Sequence, residues 1–106
     1  MVEIAPQQLK ERLARGEATL LVDVRQPWEH ETCALPGSLL IPLGELPGRL
    51  DEVQPPEGAL VVAYCHHGVR SLQATALLAH AGVSAASLAG GIDRWSLEID
   101  PKIPRY

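Results

Sequence analysis

The run from Gly58 to Tyr64 constrains this chain most, because it is apolar throughout and leads directly into Cys65-His66-His67-Gly68-Val69-Arg70. A strand with one face in water alternates polar and apolar positions. One that does not alternate is covered on both faces, which places it in the middle of a parallel sheet. The stretch from Arg70 to Ala81, with Leu, Gln and many Ala, reads as the helix that follows. Leu72, Ala76 and Ala79 share one face of it, and Gly82 stops it.

The rest of the chain repeats this alternation of helix and strand. Pro6 to Leu13 carries Leu9 and Leu13 four apart, with Pro at its start and Gly16 after it, as a short amphipathic helix does. Thr19 to Val24 is a second apolar, partly β-branched strand, ending at Asp23-Val24-Arg25. Gln26-Pro27-Trp28 breaks it, and Glu29 to Ala34 has room for one helical turn. Pro36-Gly37 turns the chain into a short strand over Ser38 to Pro42. Leu43, Leu46 and Leu50 keep helical spacing, but Pro47 and Gly48 interrupt it, which predicts a broken or short helix. Val83 to Leu88 is another strand, Gly90-Gly91 a turn, and Ile92 to Leu97 the start of a last helix. The tail from Asp100 to Tyr106, with two prolines, reads as extended. Strands alternating with helices give an α/β fold, a parallel sheet with helices on both faces, and residues 1–106 are read as one domain.

Composition narrows the class of function. Thirteen Asp and Glu against nine Lys and Arg leave a formal charge of -4, the wrong sign for a protein that binds nucleic acid through phosphates. No apolar stretch is long enough to span a bilayer, and Met1-Val2-Glu3 opens no signal segment, so the expectation is a cytoplasmic protein with no membrane partner. With 46% hydrophobic residues but no Phe, the core is built from aliphatic side chains, and the two Trp stand out as anchors. Cys33 and Cys65 form neither a disulfide framework nor a zinc pattern and are read as reduced thiols.

The segment around Cys65 carries the chemistry. A strand that ends at a Cys, passes a Gly three residues on and reaches an Arg at a helix start turns several free N–H groups into one concavity, an anion cradle. The helix dipole and the Arg70 guanidinium both stabilise negative charge on the sulfur, which makes Cys65 a nucleophile. Gly68 supplies a positive φ where the loop curls, and Ser71 is placed to cap an early helix N–H. A lone Cys at a strand end is more often an inert buried thiol; the conjunction of strand, Cys, Gly, Arg and helix sets this one apart.

Cys65 to Ser71 resembles the active-site loop of rhodanese domains. Asp23-Val24-Arg25, Pro36-Gly37-Ser38 before Ile41-Pro42, and Gly90-Gly91 before Trp95 resemble further landmarks of that family in the same order. The resemblance implies a five-stranded parallel sheet flanked by helices and a sulfurtransferase activity of the thiosulfate sulfurtransferase type. In it, sulfane sulfur passes from a small anionic donor, thiosulfate or a persulfide, to a thiol, cyanide or sulfur-carrier acceptor through a persulfide on Cys65. It also implies that Arg70 and the loop from His66 through Gly68, Val69 and Ser71 bind the donor, with no metal or organic cofactor. Cys33-Ala34 departs from the Gly-His that many members carry before this turn. The ending Asp100-Pro101 and Pro104-Arg105-Tyr106 resembles rhodanese domains fused to adenylyltransferases that activate sulfur-carrier proteins.

Other polar residues read as support. Asp23, Arg25 and Glu29 form a structural network in which Glu29 reaches Arg25. His66 and His67 form the rim of the pocket and add positive potential when protonated. Adjacent His residues beside Cys65 make a poor metal site, and His30 and His80 read as surface. Cys33 reads as a semi-buried thiol without function. Two rival readings are a cysteine phosphatase or arsenate reductase, and a non-catalytic binding module. Phosphatase loops hold five residues between Cys and Arg, whereas four separate Cys65 from Arg70, and binding modules of this kind usually lack the Cys.

Overall fold

The computed structural model describes residues 2–106, so Met1 lies outside it. The elements run β1 (Glu3–Ile4), α1 (Pro6–Ala14), β2 (Thr19–Asp23), α2 (Pro27–Thr32), β3 (Leu39–Leu40), β4 (Leu60–Tyr64), α3 (Val69–His80), β5 (Ala85–Leu88) and α4 (Gly91–Glu98). All pairings are parallel and the sheet order is β1-β5-β4-β2-β3, with the apolar strand β4 at its centre. The broken helix expected after Ile41 is a pair of 3-10 turns, Leu43–Gly48 and Leu50–Glu52, which accommodate Pro47. Among the described residues no helix is long and apolar enough to cross a membrane.

The alternation of side chains along β4 divides the interior into two layers. Val61, Ala63 and Cys65 face one cluster, which includes Val24, Ile41, Leu46, Ala74 and Leu78 beneath α3. Val62 and Tyr64 face the other, which includes Leu9, Leu35, Ile92 and Trp95. Trp95 is thus a buried anchor, but Trp28 is 60% exposed and is not.

Helix α3 turns a different face inward from the apolar one apparent in sequence. It buries Ser71, Ala74, Thr75 and Leu78, while Leu72, Ala76 and Ala79 face solvent. The inward hydroxyls have partners, Ser71 on Ser87 at 2.6 Å and Thr75 on the Leu72 carbonyl at 2.7 Å. Burying them therefore leaves no polar atom unpaired.

Strands β2, β4 and β5 all deliver their C-terminal ends to one edge, where Asp23-Val24-Arg25, Cys65 and Ala89-Gly90 meet. The Cys65 loop there lies directly against the start of α4. Ile92 N–H donates to the Cys65 carbonyl at 2.9 Å and Asp93 N–H to the His66 carbonyl at 3.1 Å. Gly91 at φ 63° lies between them, where a Cβ would collide with both carbonyls. Gly58, at φ 78°, has nothing within 4 Å of its Cβ position. Gly58→Ala is expected to cost about 1 kcal/mol, the left-handed penalty alone, and Gly91→Ala clearly more, roughly 3 kcal/mol, because the loop must shift as well. Urea unfolding of the two variants beside the wild type checks this order.

Candidate active site

Cys65 is the first residue beyond β4, and it is only 1% exposed at the floor of the loop. The loop curls around the sulfur because Gly68, at φ 98°, serves as the N-cap of α3, and its N–H donates to Cys65 Sγ at 3.0 Å. A residue with a Cβ at position 68 would also press on the Gly90 nitrogen. The first N–H groups of α3, beside this loop, have no acceptor inside the helix. Ser71 does not cap the helix as expected. Its hydroxyl lies 3.5 Å from Sγ and is held there by Ser87. Val69, in contrast, is 67% exposed and lies on the outside of the loop.

Arg70 leaves the first turn of α3 and pairs end-on with Glu29, Nη1 to Oε1 at 2.6 Å and Nη2 to Oε2 at 2.9 Å. This corrects the expected Glu29 to Arg25 contact. Arg25, wholly buried, is bonded instead to Asp23 through Nε and Nη2, at 2.8 and 2.7 Å, and to the Cys33 carbonyl at 2.6 Å. The two ion pairs are joined by Tyr106, whose hydroxyl accepts from Arg25 Nη1 at 2.9 Å and donates to Glu29 Oε2 at 2.6 Å. His30, read as surface, is only partly exposed and places Nδ1 2.8 Å from Asp23 Oδ2.

The tail is therefore part of the site. From α4 it passes over the loop, and the Tyr106 ring stacks on His66 at 4.0 Å while Trp28 meets its edge at 5.8 Å. His66 stacks in turn on His67 at 3.9 Å. Burial first, and then the neighbouring His67, push the His66 imidazole below its usual value, so His66 adds less positive potential to the rim than the sequence suggests. His67 remains largely exposed, with Nε2 3.8 Å from Asp93. His66, His67 and Asp93 bring three possible metal-ligand atoms together, but both Asp93 oxygens already accept from Arg105, at 2.8 and 3.3 Å. Cys33 is buried, and its carbonyl, not its thiol, joins the network.

The charges in this network are settled by their partners. The Arg70 hydrogen bonds, and to a lesser degree those of Tyr106 and the Gln26 N–H, outweigh burial and hold the Glu29 carboxyl down at about 2. The Arg70 guanidinium is raised, first by its hydrogen bonds to Glu29. Burial works against the Arg25 charge, yet Asp23 and Tyr106 more than offset it. Tyr106 is pushed up to about 12, first by burial and then by donating to Glu29, so it stays a donor at neutral pH.

The rhodanese-like domain family model matches residues 5–98. The chain belongs to the rhodanese-like family. A sulfurtransferase of Allochromatium vinosum is 40% identical over 89% of this chain and 87% of its own length. The probable adenylyltransferase/sulfurtransferase MoeZ of Mycobacterium tuberculosis is 35% identical over 97% of the chain, which spans only 26% of that protein. Among solved structures, the human single-domain sulfurtransferase TSTD1 superposes with a TM-score of 0.76 at 32% identity, covering 93% of this chain and 97% of that one. A rhodanese-related protein of Thermoplasma volcanium gives a TM-score of 0.82 at 27% identity, covering 93% and 94%. The five-stranded parallel sheet is thus the rhodanese fold.

The structure brings Gly68 N–H onto Cys65 Sγ and puts Arg70 on the first turn of the helix that follows, whereas the parts played by Tyr106, Ser87, His30 and Asp93 were not apparent in the sequence. The motif Pro104-Arg105-Tyr106 was visible, but nothing local showed that the tail turns back onto the loop. The Glu29 carboxyl falls from an ordinary 4.5 to about 2 on folding, so its contribution is complete above pH 4.5 and is lost as the pH falls toward 2. The stability advantage of the wild type over Glu29→Gln is expected to shrink by about 2 to 3 kcal/mol between neutral pH and about pH 2. Denaturant unfolding of both proteins across that range measures it.

Proposed function

We propose that this protein is a sulfurtransferase that carries sulfane sulfur as a persulfide on Cys65, taken from thiosulfate or a persulfide donor. The observation that carries the reading is the Gly68 N–H bonded to Sγ inside a loop that ends at Arg70 on the first turn of α3. In the transfer, the Cys65 thiolate attacks the outer sulfur of the donor. The S–S bond of the donor breaks, and its electron pair leaves with sulfite or with the donor thiolate. The new terminal sulfur lies among the loop N–H groups, which stabilise its negative charge as an oxyanion hole does. Arg70 keeps N–H donors beyond the two given to Glu29 and turns them to the leaving anion. A thiol, cyanide or a sulfur-carrier protein then accepts the sulfur and restores the thiolate.

Sulfur transfer is favoured by the relatives named sulfurtransferase and by the fold they share with this chain. A sulfur-carrier acceptor remains within the reading because similar proteins include ones named adenylyltransferase and sulfurtransferase, although the chain spans only about a quarter of them. The phosphatase alternative is disfavoured by loop length, since only four residues separate Cys65 from Arg70. The binding-module alternative is disfavoured by the retained Cys65 and the groups directed at its sulfur. The reaction takes place at the sulfur without a metal or organic cofactor, and the cytoplasm, where thiols stay reduced, suits a free Cys65.

Steady-state kinetics with thiosulfate and cyanide test the assignment. Cys65→Ser is expected to fold and to be inactive, because an alkoxide does not form near neutral pH. Arg70→Ala is expected to lose roughly 2 to 4 kcal/mol of transition-state stabilisation in kcat/KM, with Arg70→Lys recovering only part. Substantial transfer by Cys65→Ser, or hydrolysis of an aryl phosphate as fast as sulfur transfer, would overturn the reading.

A further inference from the structure

Each of the three arginines bonded into this edge of the sheet is paired with a carboxylate. Arg25 is held by Asp23, Arg70 by Glu29 and Arg105 by Asp93. His66 is held toward its neutral form by burial between Tyr106 and His67. Among the described residues, the loop N–H groups and the start of α3 then offer the positive character at the sulfur that no carboxylate compensates, and these are partial charges. A cradle of this kind suits a donor of low charge better than a dianion.

Glu29 is the carboxylate that decides this, because among the described residues it is the acid paired with Arg70, the arginine on the first turn of the helix that follows the Cys65 loop. It is 5% exposed and has four donors in all, namely both Arg70 Nη groups, the Tyr106 hydroxyl and the Gln26 N–H. That anchoring fixes the carboxylate on Arg70, where a mobile surface acid would come and go. An anion arriving at Arg70 meets a guanidinium already facing an acid, and its own charge is opposed by Glu29.

We propose that Glu29, held on Arg70 by Tyr106, is a specificity-determining residue that selects sulfur donors of low negative charge over dianions. The proposal rests on the sulfurtransferase reading above. Two donors with the same chemistry and different charge test it: thiosulfate, a dianion that releases sulfite, and methanethiosulfonate, a monoanion that releases methanesulfinate. In both, the Cys65 thiolate takes the outer sulfur and the S–S electron pair leaves with the oxyanion. The quantity read is the ratio of kcat/KM for thiosulfate to kcat/KM for methanethiosulfonate.

Glu29→Gln keeps an oxygen for the surrounding donors and removes the charge, and it is expected to raise that ratio about tenfold or more, chiefly through a lower KM for thiosulfate. Glu29→Asp keeps the charge and is expected to stay near the wild-type ratio even if both rates fall. A purely structural Glu29 would lower both donors together and leave the ratio unmoved in Glu29→Gln, and that result overturns the proposal. If Glu29→Gln does not fold, the salt dependence of the wild type decides. The proposal expects raised ionic strength to weaken thiosulfate use no more than methanethiosulfonate use. A several-fold greater loss for thiosulfate would show an unneutralised cation and sink it. If the wild type turned over neither donor, the sulfurtransferase reading itself would be the part that failed.

Discussion

The buried guanidinium of Arg25 is the constraint on which the functional edge of this fold depends. A charge with no solvent contact is tolerable only if its N–H groups are satisfied, and the partners that satisfy them come from three separate parts of the chain. Asp23 comes from the end of β2, the Cys33 carbonyl from the segment after α2, and Tyr106 from the tail. Removing one partner of such a pair typically costs about 3 to 5 kcal/mol, because the other charge stays buried. The three segments are therefore fixed relative to one another before any contact with the Cys65 loop is counted.

From Arg25 the order propagates outward through Tyr106 to Glu29 and from Glu29 to Arg70, which belongs to the loop. The opposite side of the loop is held by backbone hydrogen bonds, where the N–H groups of Ile92 and Asp93 meet the Cys65 and His66 carbonyls across Gly91. The sulfur is thus gripped between a side-chain network and a glycine-mediated backbone contact. This preorganisation leaves the Gly68 N–H directed at Sγ without reorganisation when a sulfur anion forms there.

What was legible in the sequence was what is local. Strand β4, Cys65, Gly68 and the start of α3 are consecutive, so their joint geometry follows from strand, turn and helix rules alone. Strand β1 is only Glu3–Ile4, too short for any periodicity, and its place comes from pairing with β5 near the other end of the chain. The inner face of α3 is not apparent in the sequence because Ala lies on both faces and because the inward Ser71 finds its partner, Ser87, 16 positions away. The distant partners of Glu29 and Arg25 were beyond reach for a similar reason. Glu29 meets Arg70 from 41 positions away and Arg25 meets Tyr106 from 81, separations over which sequence spacing carries no contact information.

The same reasoning explains why the tail matters more than its composition suggests. Two prolines and a terminal aromatic read as an extended end, yet Tyr106 covers His66 and supplies the hydroxyl that joins two ion pairs. The central claim, that this scaffold makes Cys65 a carrier of sulfur, is tested most directly by intact-protein and peptide mass spectrometry after incubation with thiosulfate. The account predicts the added mass of one sulfur atom, located on Cys65, absent from Cys33 and removed by cyanide. An unmodified protein, or the same cyanide-labile sulfur retained in Cys65→Ser, would contradict it.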